Sequence, residues 1–131
     1  MEDFFAKNED LAHRLIRADV NVFLERAMAG RCRWDSIIVD PPAFSNSTMA
    51  RADFDLKRDC EALLANCLAL LSPGGKLWFS ASARSFKADA KELEQALGEK
   101  FPGISVADIT DKTIDEDFKG KKAPKTFTLM P

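Results

Sequence analysis

The apolar run Ile37-Ile38-Val39 ends in Asp40-Pro41-Pro42, and the chain continues Ala43-Phe44-Ser45-Asn46-Ser47. An acid, two residues without a backbone N–H and an aromatic ring follow one another just past a predicted strand. The carboxyl ends of strands are where open α/β sheets bind ligands. Pro41 keeps Asp40 out of the helical region and in an extended conformation, and Pro42 does the same to Pro41. A loop stiffened in this way leaves its carbonyls free to accept hydrogen bonds, and Phe44 could stack on a flat ring. A rigid acceptor edge beside an aromatic suits a nucleobase. The same residues also suit a rigid strand-to-helix turn with a partly buried Phe, and local chemistry does not choose between these readings.

Other chemistries find less support. Cys32, Cys60 and Cys67 are odd in number and lack metal-ligand spacing. Cys60 and Cys67 share the apolar face of a predicted helix, so they read as buried thiols of a reducing, cytoplasmic compartment. His13, the single histidine, stands at the start of a predicted strand and reads as structural; no metal is expected. None of the six glycines makes a Gly-x-Gly turn after a strand. With 131 residues, 46% hydrophobic and 31% charged, the chain is expected to be one soluble globular domain. It has no apolar run near the roughly 20 residues that cross a bilayer. The net charge of -2 speaks against a strongly basic nucleic-acid coat protein, though not against an enzyme reading RNA through a local basic patch.

The elements that must hold these residues follow from periodicity. Residues 1–12 are polar, with Phe4 and Phe5, and read as the end of a helix. Arg14 to Ala18 reads as a short strand around Leu15 and Ile16. Asn21 to Ala29 reads as a helix stopped by Gly30, and Asp35 to Val39 as a strand. Residues 43 to 53 read as a loop. Leu56, Cys60, Leu63, Leu64, Cys67, Leu68 and Leu71 make one apolar stripe, which predicts a helix from Asp55 to Leu71. Ser72-Pro73-Gly74-Gly75 is expected to end it. A strand from Lys76 to Ser80, a helix over 86 to 100 and strands at Ile104 to Ile109 and Thr126 to Met130 complete the chain. Between the last two runs a polar connection with Lys119, Lys121, Lys122 and Lys125. The alternation implies a largely parallel sheet, with the last strand antiparallel.

Three stretches in register carry a resemblance: Ser36-Ile37-Ile38-Val39-Asp40-Pro41-Pro42-Ala43-Phe44-Ser45-Asn46-Ser47, Phe54-Asp55-Leu56-Lys57-Arg58-Asp59, and Thr110-Asp111-Lys112-Thr113 with Asp117-Phe118. The Asp-Pro-Pro-x-Phe loop resembles the strand-four motif of class I S-adenosylmethionine-dependent methyltransferases. The longer pattern, from about Leu11 to Leu129, is similar to the C-terminal domain of the bifunctional bacterial 23S ribosomal RNA guanine methyltransferases. The resemblance implies an α/β fold of partial Rossmann-like, class I methyltransferase type. Its sheet would be mostly parallel with an antiparallel last strand. It would form one domain over residues 1–131, with its core at residues 35–130.

The resemblance also implies roles. Asp19 would meet the adenine end of S-adenosylmethionine, while its position equally suits a helix N-cap. Asp40 would stand near the methionine end of that cofactor. Asp40, Pro41, Pro42 and Phe44 would form the catalytic corner around the base. Ser45, Asn46, Arg51 and Arg84 would contact substrate, with Phe86 and Lys87 at positions the family turns to substrate. Thr48 departs from a lysine in relatives, a charge Arg51 could supply. Phe79-Ser80-Ala81-Ser82 departs from the related 5-methylcytosine enzymes, whose nucleophilic cysteine is replaced here by Ala81, so covalent attack on a pyrimidine is disfavoured.

The resemblance implies methylation of guanine in 23S ribosomal RNA, with N7, the family's acceptor in this domain, favoured; its lone pair needs no general base, which fits a site with no His, Cys or Lys placed as an obvious catalyst. An exocyclic amine is also compatible with the carbonyls of the proline loop. Against the family's sheet order, 3-2-1-4-5-7-6, the chain begins at about strand three and lacks the glycine-rich turn. The segment before Asn21 is therefore expected to be displaced from the sheet, or paired with a neighbouring molecule across the exposed edge of strand four. A fragment with little activity alone, an enzyme completed by the missing N-terminal portion or by a second copy, and a non-enzymatic RNA-binding or interaction domain all remain open. Neither membrane nor metal is expected as a partner.

Overall fold

The computed structural model of the protein describes residues 14–46, 52–82, 84–118 and 123–131. The predicted helix end at residues 1–12, together with His13, Thr48, Arg51, Lys119, Lys121 and Lys122, lies outside the described residues.

Helix α1 (Val20–Ala29) begins at Asp19, whose carboxylate accepts a hydrogen bond from the Asn21 N–H at 2.8 Å. That satisfies one of the orphan donors of the first turn. Strand β1 (Trp34–Val39) follows, then two short strands, β2 (Phe44–Ser45) and β3 (Phe54–Asp55), which pair antiparallel. Helix α2 (Leu56–Leu68) is capped by Asp55. Strand β4 (Leu71–Ala81), helix α3 (Ala90–Gly98), strand β5 (Ser105–Asp108), a short helix α4 (Thr110–Thr113), a 3-10 turn at Glu116–Phe118 and strand β6 (Lys125–Met130) complete the chain.

The main sheet has the order β1-β4-β6-β5. Strand β1 is parallel to β4, and β6 is antiparallel to both β4 and β5. Three strands therefore run one way, with the last strand inserted against them. Register makes the two faces of this sheet unlike. The row Ile37–Leu77–Leu129–Val106 and the side chains of Val39, Phe79 and Phe127 point to one face. They share one core with Leu24 and Ala27 of α1, the α2 stripe, and Leu93 and Leu97 of α3. The row Ile38–Trp78–Thr128–Ala107 points to the other face, and none of its four side chains is buried.

Six expectations are corrected. Residues 14–18 form no strand, and Leu15 is fully exposed. Helix α2 stops at Leu68, before Leu71, because Leu70 and Leu71 are drawn into the core as the chain enters β4. The Ser72-Pro73-Gly74-Gly75 stretch is a bulge inside β4. Trp34 pairs with Leu71 and Ser36 with Lys76, so the residues from Ser72 to Gly75 bulge opposite Asp35. Pro73 has no N–H to give the ladder, Gly74 takes φ +77°, and at Gly75 a Cβ would stand 2.9 Å from the Ser72 carbonyl and 3.0 Å from that of Asp35. Helix α3 starts at Ala90 rather than at residue 86, because Asp89 and Glu92 form a reciprocal capping box there. The loop predicted over 43–53 contributes β2, and the strand predicted over Ile104 to Ile109 is trimmed to β5.

Candidate functional site

Strands β1 and β4 are parallel, with Val39 level with Phe79, so Asp40 and Ser82 leave the sheet at the same, carboxyl, end. An open cleft of about 610 Å³ lies there, between the β1 edge, the start of α1 and the proline loop. Asp19, Asp40, Pro41, Pro42 and Ser45 line it together. Of the residues expected at the site, the fold thus brings these five to one wall-and-floor arrangement. A cleft of this size falls within the range of about 300–1,000 Å³ usual for small-molecule sites. A neighbouring hollow of about 550 Å³ shares Phe23, Leu24, Ile37, Ile38 and Cys67 with it, so the two meet along the outer edge of β1.

The corner itself is exposed. Asp40 and Pro42 are open to solvent and Pro41 is half-buried. The described residues send no hydrogen bond to the Asp40 carboxylate. The corner is held from downstream: the Leu56 N–H donates to the Ala43 carbonyl at 2.9 Å, Phe44 pairs with Asp55, and Ser45 pairs with Phe54. Alternation along β2 sends neighbouring side chains to opposite sides. Ser45 accordingly faces the cleft, while Phe44 is 56% exposed and is not on the cleft wall. Asn46 and Arg84 are also exposed and off the wall, and Arg51 lies outside the described residues.

Phe86 corrects an expectation. It is buried, with its ring 5.2 Å from Phe79 and 5.9 Å from Phe127 between centroids, each edge-to-face. A ring locked in that cluster cannot turn toward a substrate. Thr110–Thr113 likewise does structural duty. The Thr110 hydroxyl donates to the Asp108 carboxylate and accepts from the Thr126 N–H, and the Thr113 hydroxyl meets that of Thr126 at 3.3 Å. These bonds join β5 to β6.

The cleft contains residues that motif reasoning missed. Ile38, Phe23 and Phe54 supply apolar walls beside the two carboxylates. Phe54 was legible as the first residue of the Phe-Asp-Leu-Lys-Arg-Asp stretch, though not as a cleft residue. Cys67 also reaches the cleft, but burial pushes its thiol up to about 11, and burial pushes that of Cys60 up to about 12. Neither is a thiolate nucleophile near neutrality. Ala81 is buried at the end of β4. Among the described residues no three His, Cys, Asp or Glu side chains come together in a metal-holding group, and no helix is long and apolar enough to cross a membrane.

This geometry can be set beside known proteins. The chain is 40% identical over 107 residues to a ribosomal RNA large subunit methyltransferase K/L of Pseudoalteromonas atlantica, covering 82% of this chain and 14% of the relative. It is 39% identical over 134 residues to the corresponding protein of Dichelobacter nodosus, covering 98% and 17%. With the ribosomal RNA large subunit methyltransferase K of Neisseria meningitidis serogroup B it shares 37% over 117 residues, covering 89% and 31%. The chain is therefore a homologue of the K and K/L methyltransferases along most of its length, while spanning only a minor part of theirs. Among solved structures, SMU.776, described as a methyltransferase complexed with SAH, superimposes with a TM-score of 0.65 at 21% identity over 89% of this chain and 31% of its own. A SAM-dependent methyltransferase from Agrobacterium tumefaciens does so with a TM-score of 0.56 at 21% identity, over 82% and 36%. The fold is that of the matching third of these methyltransferases. No protein-family model matches the chain.

Proposed function

We propose that this homologue of the K/L ribosomal RNA methyltransferases supplies the base-holding part of an S-adenosylmethionine-dependent enzyme that methylates guanine in 23S ribosomal RNA in the cytoplasm, with N7 as the favoured acceptor. The observation that carries this reading is the joining of Asp19, Asp40, Pro41, Pro42 and Ser45 around one open cleft at the carboxyl end of β1, in a chain 37% identical to a ribosomal RNA methyltransferase over 117 residues.

The residues fit the cofactor in chemical type. Asp19 and Asp40 offer carboxylate acceptors for its hydroxyl and amino groups, and Ile38, Phe23 and Phe54 offer apolar surface. When bound, the sulfonium supplies an activated methyl group. The chain's own part is placement. The Pro41 and Pro42 carbonyls present a fixed acceptor edge to the base, and Asp40 keeps a negative field beside the reacting centre. Guanine N7 has a lone pair and no proton to lose, so a site with neither a general base nor a thiolate suffices. Phe44, Ser45, Asn46, Arg51 and Arg84 are the proposed RNA contacts, with Phe44 and Arg84 acting from outside the cleft wall.

The chain alone is proposed to be weakly active or inactive, and completed by the N-terminal portion of the domain. Two observations support that partner. The edge of β1 away from β4 is unpaired among the described residues, and Ile38 beside it is 79% exposed. A second copy of the chain is the competing way to cover the same edge. A second reading is an RNA-binding domain without chemistry, in which the exposed Phe44 and Arg84 would meet RNA while the cleft holds no cofactor.

Calorimetric titration with S-adenosylhomocysteine, followed by methyl transfer to 23S ribosomal RNA with and without a co-expressed N-terminal portion from a relative, separates these readings. Cofactor binding and transfer that appear only on complementation are the expected result. Salt-dependent RNA binding with no cofactor affinity in either state would favour the second reading.

A further inference from the structure

The proline corner has no tether of its own. Pro41 and Pro42 carry no N–H, so from Asp40 to Ala43 the backbone is stiff but poorly anchored. Its anchors are the Ala43 carbonyl, which accepts from Leu56, and the β2–β3 pairing of Phe44 and Ser45. Strand β3 runs directly into α2, whose first turn is capped by the Asp55 carboxylate accepting from the Arg58 N–H at 3.1 Å, and a pair of side chains adds a second clamp. The Asp59 carboxylate accepts from the Asp55 N–H at 2.8 Å. The Arg58 guanidinium grips that same carboxylate through Nε at 3.0 Å and Nη2 at 2.9 Å. Nη2 also donates to the Asp53 carbonyl at 2.8 Å. Strand β3 is thus pinned to α2 on both sides, at Asp53 just before it and at Asp55 at its end.

We propose that Arg58 and Asp59 are positioning residues for the Asp40-Pro41-Pro42 corner, acting through β3 and β2 rather than by touching substrate or cofactor. Their functional role rests on the proposed reading of the cleft. The pair is too exposed to serve mainly for stability: the side chains are 64% and 32% accessible, and exposed ion pairs contribute little to folding. What the pair fixes is direction. A planar fork can hold a carboxylate by two bonds and a carbonyl by a third, which a lysine cannot do.

The test compares the chain with its Arg58→Lys and Asp59→Asn variants, each alone and complemented by the N-terminal portion. Hydrogen exchange at the Leu56 amide reads the anchor directly. Both variants are expected to speed it by about tenfold, the worth of a lost charge-assisted hydrogen bond, while amides in the centre of β4 are unchanged. In the complemented enzyme the expected change is a fall in kcat of about tenfold with KM for S-adenosylmethionine unaltered. Unchanged Leu56 exchange, or equal acceleration throughout the chain, would overturn the proposal, as would full activity in Arg58→Lys. If the complemented wild-type chain transfers no methyl group, the proposed function fails, and the positioning role is then decided by Leu56 exchange alone.

Discussion

Asp59 gives the clamp a pH signature. Its carboxyl is held below the usual carboxylate range, first by the hydrogen bond from Arg58 and then by that from the Asp55 N–H. A carboxyl whose folded pKa is depressed takes up its proton later than in the unfolded chain, so the unfolded state binds more protons as the pH falls. Its stabilising effect is complete above the unfolded value of about 3.9 and is lost as the pH drops through the lower folded value. The difference in melting temperature between the protein and its Asp59→Asn variant should therefore persist from neutrality to about pH 5 and close below about pH 4. Thermal unfolding followed by circular dichroism across that range checks it, and a gap that is constant with pH would contradict the ion pair. Two glycines give a sharper contrast at this scale. At Gly75 a methyl would meet two backbone carbonyls at 2.9 and 3.0 Å, neither of which can swing aside. Gly75→Ala should cost about 1–3 kcal/mol, as overpacking does. At Gly98, the last residue of α3, a Cβ meets nothing within 4 Å. Gly98→Ala should stabilise by about 0.5–1 kcal/mol through helix propensity. Urea denaturation of the pair should show shifts of opposite sign.

Helix α3 shows at the element scale how a local signal can be present and still be overlooked. Phe86, Ala90, Leu93 and Leu97 have helical spacing, which predicts a start at residue 86. The Asp89-Ala90-Lys91-Glu92 capping signature lies inside that window and marks the true start. Asp89 accepts from the Glu92 N–H at 2.9 Å, and Glu92 accepts from the Asp89 N–H at 3.3 Å. Asp89→Ala should lower stability by about 0.5–2 kcal/mol, measurable by denaturant titration. Elements defined by their own periodicity were legible in this way: the α2 stripe, the β1 run and the antiparallel last strand. Those defined by a partner were not. Pro-Gly-Gly reads as a turn until the register of β1 against β4 turns it into a bulge. Phe86 reads as the first residue of a helical stripe, at a position the family turns to substrate, until Phe79 and Phe127 close around it. Strands β2 and β3 are two residues each, too short for any pattern, and exist because α2 holds one of them. The site shows the same division. Its acids and prolines were visible as residue types, while its apolar wall of Ile38, Phe23 and Phe54 emerges only when three separate elements converge.

The two faces of the sheet set the behaviour of the whole molecule. Parallel strands in α/β proteins are normally covered on both faces. Here the helices share a single core with one face, and the row Ile38–Trp78–Thr128–Ala107 has no buried member. Along β1 this open face meets an open edge, and an apolar edge strand of that kind is a template for pairing with another chain. Ile38 lies where the two meet and lines both hollows. A charge placed there should oppose any added strand or apolar cover without disturbing the buried core, since the native side chain is already 79% exposed. The chain alone is thus expected to self-associate as its concentration rises, and Ile38→Lys to stay monomeric with its melting temperature within a few degrees of the parent, the usual range for a surface substitution of about 0.5 kcal/mol. Light scattering coupled to gel filtration measures this. The same substitution should abolish complementation by the N-terminal portion, because both partners would compete for one edge. If Ile38→Lys blocked self-association yet left complementation intact, the N-terminal portion would have to dock elsewhere, and the open edge of β1 would belong to the second copy alone.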